Sequence, residues 1–460
     1  MALDIVIMAA GRGTRMKSGL PKVLHRLAGR SLLQHVLRTA ARLDADRIVA
    51  VTGHGADAVE ASVQAPNLCF VRQQPQLGTG HAVQQAVPQL HAEGTTLILN
   101  GDVPLIEADT AHALLAAAEG TRLALLTVEL ADASGYGRVL RSAGGGVRAI
   151  VEEKDATPAE RAIREVYTGI MAVPTAHLKR WLAALRNDNA QGEFYLTDIV
   201  AMAVADGVPV VTAHPRHEAE VLGVNSPLQL ADLERRVQRA QAETLMEAGV
   251  RLADPSRLDV RGELDCGSDV EIDVNCVFEG RVSLGDGVRI GANCVIRNAV
   301  IATRAVIHPF THIEGATVGA GALVGPYARL RPGAELGPEV HIGNFVEVKN
   351  STLARGAKAN HLAYLGDATV GERVNYGAGS ITANYDGANK HRTVIGADAH
   401  IGSNCVLIAP VTIGEGGTVG GGSTISQDTP AGQLTVARGR QVSIAGWKRP
   451  VKAAKPVKAT

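Results

Sequence analysis

Residues 395–426 read IGADAHIGSNCVLIAPVTIGEGGTVGGGSTIS. An aliphatic residue occupies every sixth position of this stretch, and glycine often follows it. A repeat of six residues is the hexapeptide signature of a parallel β-helix. Three hexapeptides make one triangular coil, in which the aliphatic side chain points inward and a small residue turns each corner. The aliphatic positions are Ile395, Ile401, Leu407, Ile413, Val419 and Ile425.

A second series has the same period. An antiparallel barrel or sandwich alternates with period two and would not keep two such series in phase, so the sequence predicts a left-handed parallel β-helix. Residues 353–369 are partly out of register, and 380–393 (SITANYDGANKHRT) form a polar insertion, which in a solenoid becomes a loop on one face. The second series comprises Val318, Val324, Leu330, Leu336, Ile342 and Val348, and a less regular one includes Leu284, Ile290 and Ile296.

The first half has a different pattern, in which short aliphatic runs alternate with longer amphipathic stretches. This alternation predicts a Rossmann-like α/β domain with a mainly parallel sheet, whose ligands bind beyond the carboxyl ends of the strands. The predicted strands are 4–9, 47–51, 95–99 and 123–128, and the predicted helices are 32–43, 82–90 and 110–119.

A linker helix should join the halves. Ser226 and Pro227 provide an N-cap and an N1 proline, and Gly249 a stop. Leu230, Leu233, Val237 and Ala240 should share its packed face. The predicted domains are 1–226, the linker helix 227–249, the β-helix 250–436 and a basic, loosely ordered tail 437–460.

The amino-acid composition argues against nucleic-acid binding, a zinc or disulfide framework, and membrane insertion. Lys plus Arg and Asp plus Glu both number 46 in 460 residues, so no net charge favours nucleic acid. The five cysteines form no CxxC pair, which favours buried thiols over a zinc site or disulfides. The chain opens without a basic signal region, and no apolar run nears the ~20 residues of a membrane span. We therefore expect a cytoplasmic protein with neither membrane insertion nor a nucleic-acid partner.

Residues 8–16 (MAAGRGTRM) follow the first predicted strand, and Pro21 and Lys22 come soon after. The glycines of this loop allow backbone N–H groups to approach an anion, and Arg15 and Lys22 add two cations. Neither a Walker A motif nor GxGxxG is present, so the loop indicates a phosphate site of another kind.

These motifs carry a specific resemblance. The stretch GxGTRM followed by PK, with 76–81 (QLGTGH), 100–105 (NGDVPL) and 135–138 (GYGR), resembles nucleotide-sugar pyrophosphorylases. With the hexapeptide half included, the chain from about Ile5 to Arg449 is similar to the bifunctional N-acetylglucosamine-1-phosphate uridyltransferases and glucosamine-1-phosphate acetyltransferases. The resemblance implies two consecutive reactions, acetylation of glucosamine 1-phosphate by acetyl-CoA and coupling of the product to UTP. UDP-N-acetylglucosamine then supplies peptidoglycan and lipopolysaccharide synthesis.

By this resemblance, Asp102 and Asn225 hold a Mg²⁺ ion, whose preference for oxygen ligands suits a carboxylate and an amide. Lys22 and Arg15 are the catalytic cations, because phosphoryl transfer needs positioning and charge neutralisation rather than a protein nucleophile. The residues implied in UTP or UDP-N-acetylglucosamine binding are Ala9, Ala10, Gly11, Lys22, Gln73, Gly78, Thr79, Asn100, Gly101, Gly137, Glu152, Tyr167 and Asn225.

Tyr167 departs from the family's pattern, which has asparagine at this place. Tyrosine offers one hydroxyl on a longer side chain. Two orientations are open: the ring turns out of the sugar site, which we favour, or its hydroxyl reaches the sugar.

The second site is implied around the insertion. His361 matches the general base, since a histidine can accept a proton near neutral pH, and the resemblance implies a homotrimer. The residues implied in glucosamine 1-phosphate binding are Arg331, Lys349, Tyr364, Asn375 and Lys390. The residues implied in acetyl-CoA binding are Asn384, Tyr385, Ser403, Gly421 and Arg438.

Two other interpretations remain. The β-helix could serve only for oligomerisation of a monofunctional sugar-1-phosphate nucleotidyltransferase, against which His361 and the insertion both argue. A non-catalytic hexapeptide protein would have no reason to keep Asp102 and Lys22.

Overall fold

The computed structural model of the protein describes residues 2–451. The chain divides into two compact units. The first comprises the residues up to Ala248 together with Asp254–Glu263, and the second comprises Gly249–Ala253 and the residues from Leu264 onward. Lys452, Lys455 and Lys458 of the predicted basic tail lie outside the described residues. From Val436 to Val451 the described part of the tail forms neither helix nor strand and is largely exposed.

The first unit contains a main sheet and a short hairpin. Its strands are β1 Leu3–Ala9, β2 Arg26–Leu27, β3 Arg30–Ser31, β4 Arg47–Thr52, β5 Leu68–Arg72, β6 Thr95–Asn100, β7 Leu123–Glu129, β8 Gly137–Arg141, β9 Val147–Val151, β10 Glu165–Pro174 and β11 Val210–Ala213. The main sheet has the order β11-β7-β10-β6-β1-β4-β5, whereas β2 and β3 pair with each other. Neighbouring strands of the main sheet are parallel except at β10, which runs antiparallel to β6 and β7 and also pairs with the β8–β9 hairpin. The mainly parallel sheet is therefore confirmed, with one reversed strand.

Helices cover both faces of this sheet, because its central strands are buried on both sides. The predicted helix 32–43 ends at Ala40, while the one predicted at 82–90 begins at Thr79 and tightens to a 3-10 turn over Val87–Gln89. The helices are α1 Leu32–Ala40, α2 Ala56–Ser62, α3 Thr79–Ala86, α4 Ala108–Ala118, α5 Pro158–Arg161, α6 Thr175–Ala184, α7 Asp198–Ala205 and α8 Pro227–Glu247.

The helix α8 is the predicted linker helix. Its N-cap Ser226 accepts a hydrogen bond from the backbone N–H of Gln229 at 3.3 Å. Leu233 is buried, and Leu230 and Val237 are half-buried. The prediction of Ala240 on this face was wrong: Ala240 is exposed, because the buried stripe continues through Gln238 and Ala242 at a spacing of four.

The second unit is the left-handed parallel β-helix. Short strands stack into three faces, and two longer strands, Cys276–Leu284 and Val295–Ile301, run from the second face to the third. Leu258–Cys266 precedes them in the chain, and its residues from Leu264 onward belong to this unit. The first face comprises Arg251–Leu252, Glu271–Ile272, Arg289–Ile290, Val306–Ile307, Leu323–Val324, His341–Asn344, Lys358–His361, Asn375–Tyr376, His400–Ile401, Thr418–Val419 and Leu434–Thr435. The second comprises His312–Glu314, Arg329–Leu330, Glu347–Lys349, Tyr364–Gly366, Ile381–Ala383, Val406–Ile408 and Thr424–Ile425. The third comprises Thr317–Val318, Ala334–Leu336, Ser351–Leu353, Ala368–Val370, Thr393–Ile395 and Val411–Ile413.

Every aliphatic residue of the two predicted series is buried inside the coils. The register explains where the repeat breaks. Arg329 pairs with Glu347, a step of 18 residues, whereas Glu347 pairs with Tyr364, a step of 17. Tyr376 pairs with Ile401, a step of 25 residues, because the coil between them contains the polar insertion.

Two corners of the triangular coil carry the residues predicted for the acetyltransferase site. The first corner joins the first face to the second and includes Phe310, Tyr327, Phe345 and Leu362, all with positive φ. The second corner joins the second face to the third; it includes Asn350 and Asp367 and carries the insertion.

The five cysteines are free thiols, three of them buried. Burial raises the pKa of the Cys276 thiol to about 11. Among residues 2–451, no helix combines the length and apolarity that crossing a bilayer requires.

Candidate active sites

The loop after β1 is shaped by glycine. Gly13 has φ 60°, and a Cβ at this residue would lie 2.6 Å from Cβ of Lys22. Glycine therefore lets the Lys22 side chain pass directly against the loop. Gly11 has nothing within 4 Å of its Cβ position, so its backbone is open on that side.

A cavity of about 610 Å³ lies beside this loop, at the carboxyl ends of β1 and β6. We call it the larger cavity. It brings together nine residues predicted to bind nucleotide or metal: Ala9, Ala10, Gly11, Lys22, Gln73, Gly78, Thr79, Asn100 and Asp102.

A smaller cavity of about 260 Å³ shares Met8, Thr79, Asn100 and Asp102 with the larger one. Gly101 lines neither cavity; it is buried, and its N–H donates to the carbonyl of Met8 at 2.9 Å. The remaining predicted residues of the first unit line the smaller cavity: Arg15, Gly137, Glu152, Tyr167 and Asn225.

Lys22 lies where the two cavities meet. Its ammonium contacts the carboxylate of Asp102 and donates to Oδ1 of Asn225 at 3.1 Å. The Lys22 side chain is only 13% exposed. Two oxygens that converge on one cation in this way form a donor set that also suits Mg²⁺. Among residues 2–451, no group of three His, Cys, Asp or Glu side chains could hold a metal, so substrate or water oxygens would have to complete the shell.

Gln73 and Gly78 form one side of the larger cavity. The side-chain amide of Gln73 donates to the carbonyl of Gly78 at 2.9 Å. Gly78 has φ 103°, and a Cβ there would lie 2.7 Å from the carbonyl oxygen of Phe194. This position therefore requires glycine, and the turn leads directly into α3 with Thr79 as its first residue.

Glu152 and Tyr167 lie in the wall of the smaller cavity. Burial raises the pKa of Glu152, while a hydrogen bond from Thr197 at 3.0 Å opposes this rise. Burial, with a smaller contribution from Glu152, raises the pKa of Tyr167 well above its ordinary value. Tyr167 lines this cavity but is only 6% exposed, and its buried hydroxyl has no hydrogen-bond partner among the described residues.

In the second unit, cations gather at the second corner. Arg331 donates to Glu347 at 2.8 Å. Contact with the Lys390 ammonium, followed by partial burial, lowers the pKa of Lys349. A Cβ on Gly366 would lie 2.3 Å from the hydroxyl of Tyr364, so this ring also points toward the second corner.

His361 ends a strand of the first face, beside the first corner. Its Nδ1 donates to Oδ1 of Asn344 at 2.9 Å. This bond places the proton on Nδ1 and leaves the Nε2 lone pair free to accept one. Asn375 also lies on the first face, apart from the other residues predicted to bind glucosamine 1-phosphate.

The residues predicted to bind acetyl-CoA fall into two groups. Ser403, Gly421 and Arg438 follow one another in successive coils at the first corner, where the guanidinium of Arg438 contacts the carbonyl of Gly421. Asn384 and Tyr385 lie in the insertion at the second corner. Asn384 is buried, and its amide contacts the carboxylate of Asp367.

Sequence reasoning missed several residues of both sites. Arg12 and Gln76 line the larger cavity, and Arg12 donates to Gln76 at 2.9 Å. Asn344 and Asp367 could have been found from the coil length, because Asn344 precedes His361, and Asp367 precedes Asn384, by 17 residues.

Comparisons with known proteins agree with both halves. Residues 5–222 match the family described as MobA-like NTP transferase domain. Residues 266–298, 315–350 and 392–427 match the bacterial transferase hexapeptide family.

Full-length relatives are also similar. The chain is 77% identical over 457 residues to the protein named Bifunctional protein GlmU of Methylibium petroleiphilum, covering 98% of this chain and 99% of that protein. Proteins of the same name from Acidovorax sp. and Azoarcus sp. are 69% and 62% identical over 473 and 450 residues, with 99% and 98% of this chain and 99% and 100% of those proteins covered. These matches exclude the monofunctional alternative. The chain therefore belongs to the GlmU family of bifunctional enzymes, the uridyltransferases and acetyltransferases that its motifs resemble.

Proposed function

We propose that uridylyl transfer takes place where the larger and smaller cavities of the first unit meet. The larger cavity accepts UTP and the smaller one accepts the sugar of N-acetylglucosamine 1-phosphate. The phosphate oxygen of the sugar phosphate attacks the α-phosphorus of UTP, and the bond to pyrophosphate breaks. The shared residues Thr79, Asn100 and Asp102 carry this proposal, because they belong to both cavities.

Asp102 and Asn225 would hold Mg²⁺, which when bound offsets the negative charge of the phosphates. Lys22 lies against the same oxygens and so adds a cation at the reacting phosphates. Arg15 lines the smaller cavity and is placed to contact the sugar phosphate. Gly137 lines the smaller cavity, and a Cβ there would lie 2.8 Å from Cγ2 of Ile150, so glycine allows this strand to approach Ile150 closely.

Acetyl transfer is assigned to the second unit. The amine of glucosamine 1-phosphate attacks the thioester carbonyl of acetyl-CoA, and coenzyme A leaves as its thiol. Nε2 of His361 takes the proton from the amine, because Nδ1 already donates to Asn344. Arg331, Lys349 and Lys390 form a positive cluster that fits the phosphate.

The distribution of these residues supports a homotrimer. His361, Asn375, Ser403, Gly421 and Arg438 lie at the first face and first corner, whereas the phosphate cluster, Tyr364, Asn384 and Tyr385 lie toward the second corner. A ring of copies that places the first corner of one chain against the second corner of the next would unite the two groups.

The first corner has the surface that such a contact requires. Phe310, Tyr327 and Phe345 stack with ring centroids 4.9 and 5.4 Å apart, and each is about half exposed. Leu362, next to His361, extends this apolar column. Contiguous exposed apolar residues of this kind mark protein contacts.

We place both reactions in the cytoplasm, a reducing compartment that suits free cysteines. A coupled assay with glucosamine 1-phosphate, acetyl-CoA, UTP and Mg²⁺ tests the whole proposal by the appearance of UDP-N-acetylglucosamine. Release of pyrophosphate without acetyl-CoA consumption would contradict it.

A further inference from the structure

The insertion at the second corner has an ordered tip. Tyr385 and Lys390 form an antiparallel bridge, and the four residues 386–389 turn the chain between them. The hydroxyl of Tyr385 donates to the carbonyl of Gly387 at 2.6 Å. The loop is therefore held by its own bonds, although most of it is exposed.

The carboxylate of Asp386 makes three further bonds within the loop. Oδ1 of Asp386 accepts from the backbone N–H groups of Ala388 at 2.8 Å and Asn389 at 2.6 Å. Its Oδ2 lies 2.7 Å from Nε2 of His391. The hydrogen bond from Asn389, followed by those from His391 and Ala388, lowers the pKa of Asp386. Asp386 thus stays ionised near neutral pH and contacts the residues on both sides of Lys390.

These bonds fix the backbone on both sides of Lys390, whose ammonium faces another cation. The Lys390 ammonium is the main cause that lowers the pKa of Lys349; Arg331 adds further positive charge, and the carboxylate of Asp367 opposes the effect. Like charges repel, and Glu347 and Asp367 offset only part of this repulsion, so without phosphate the two ammonium groups favour separation. The bonds from Asp386 to Asn389 and His391 hold the backbone at Lys390 in place against this repulsion.

We propose that Asp386 is a positioning residue for glucosamine 1-phosphate, holding Lys390 beside Lys349 before the phosphate arrives. Asp386 acts through Asn389 and His391 and does not touch the substrate. This inference rests on the proposed function of Lys349 and Lys390 as phosphate ligands.

Steady-state kinetics of acetyl transfer by the full-length protein test the proposal. In Asp386→Ala the freed loop should raise KM for glucosamine 1-phosphate about tenfold, while kcat changes less than about threefold, because the loop bonds affect binding more than chemistry. Asp386→Asn keeps an oxygen for both backbone N–H groups, so its KM should stay within about threefold of the parent value.

Asp286→Ala is the matched control. Asp286 also accepts turn bonds, from the backbone and hydroxyl of Ser268 at 2.8 and 2.9 Å, but in an early coil. Its loss should leave KM unchanged, and uridylyl transfer by each variant reports whether the protein has folded.

The proposal is overturned if Asp386→Ala leaves KM unchanged, or if Asp386→Asn is as impaired as the alanine variant. Lys390→Ala distinguishes failure of the positioning role of Asp386 from failure of the proposed phosphate site. If Lys390→Ala raises KM but Asp386→Ala does not, only the positioning role fails. If Lys390→Ala itself has no effect on KM, the proposed phosphate site is wrong.

Discussion

The ammonium of Lys22 lies 3.1 Å from Oδ1 of Asn225, although 203 residues separate them in the chain. Backbone bonds bring the two together. The N–H of Val224 donates to the carbonyl of Asp102, and that of Gly101 donates to the carbonyl of Met8, both at 2.9 Å. The ends of β1 and β6 and the start of α8 therefore converge on one cation site.

Asp102→Asn removes the negative charge from this site but keeps its shape. We expect uridylyl transfer to fall by a factor on the order of 10² or more, as is usual when electrostatic stabilisation is lost. The Mg²⁺ concentration that gives half-maximal activity should rise. A Mg²⁺ titration of pyrophosphate release measures both effects.

Acetyl transfer by the same preparation is the control, and it should continue in EDTA. If the chelator stops acetyl transfer as well, the assignment of the metal to the first unit alone is wrong.

Periodic features were predictable from the sequence, and features that depend on coil stacking were not. Ile395 and Val318 each begin a series with a strict period of six, so the solenoid could be predicted from side-chain size alone. In contrast, Ala240 fits a helical stripe in the sequence, yet the packed stripe runs through Gln238, whose amide pairs with the backbone of Val260 at 2.7 and 2.9 Å. A polar residue on a buried face cannot be recognised until its partner is known.

The residues of the two candidate sites were likewise only partly predictable from the sequence. Lys22, Asp102 and Asn225 could be proposed together only from the family resemblance, since no local pattern joins them. Asn344 was missed because its importance comes from the residue one coil later, His361, and the coil there has 17 residues instead of 18.

Asn344→Ala should weaken acetyl transfer by removing the acceptor that fixes the His361 ring. We expect kcat to fall by about tenfold, less than the factor on the order of 10² expected for His361→Ala, because a positioning bond contributes less than the base itself.

Uridylyl transfer from supplied N-acetylglucosamine 1-phosphate is the control for both variants and should be unchanged. Equal loss of both activities in a folded protein would refute the base assignment. An unaltered kcat in Asn344→Ala would show that Asn344 does not orient the ring.

Phe345→Glu should weaken the trimer, because it places a charge within the apolar column of the first corner. Burying an unpaired carboxylate in an interface is costly, so sedimentation should detect smaller species, and acetyl transfer should fall with them. Val300→Glu, at an exposed apolar residue of the third face, is the matched control. If the Phe345 variant sediments like the parent protein and keeps its acetyl transfer, the first corner is not a contact between copies.

The hydroxyl of Tyr167 is buried without a hydrogen-bond partner among residues 2–451. The residue belongs to the same core cluster as Val139, Ile150 and Met171 and also lines the smaller cavity. An unsatisfied buried hydroxyl costs about 1–3 kcal/mol. Tyr167→Phe should therefore raise the melting temperature and leave KM for N-acetylglucosamine 1-phosphate within about twofold, because the hydroxyl does not hold the sugar.

Tyr167→Asn is the complementary variant. An asparagine offers a donor and an acceptor to a sugar hydroxyl, so KM should fall by up to about tenfold, the equivalent of one gained hydrogen bond. The shorter side chain also leaves space in the core, and the melting temperature should fall. The UTP constant should stay the same in both variants. If Tyr167→Phe instead raises KM for the sugar phosphate about tenfold, then the hydroxyl turns to the sugar on binding, and the ring is itself a sugar contact.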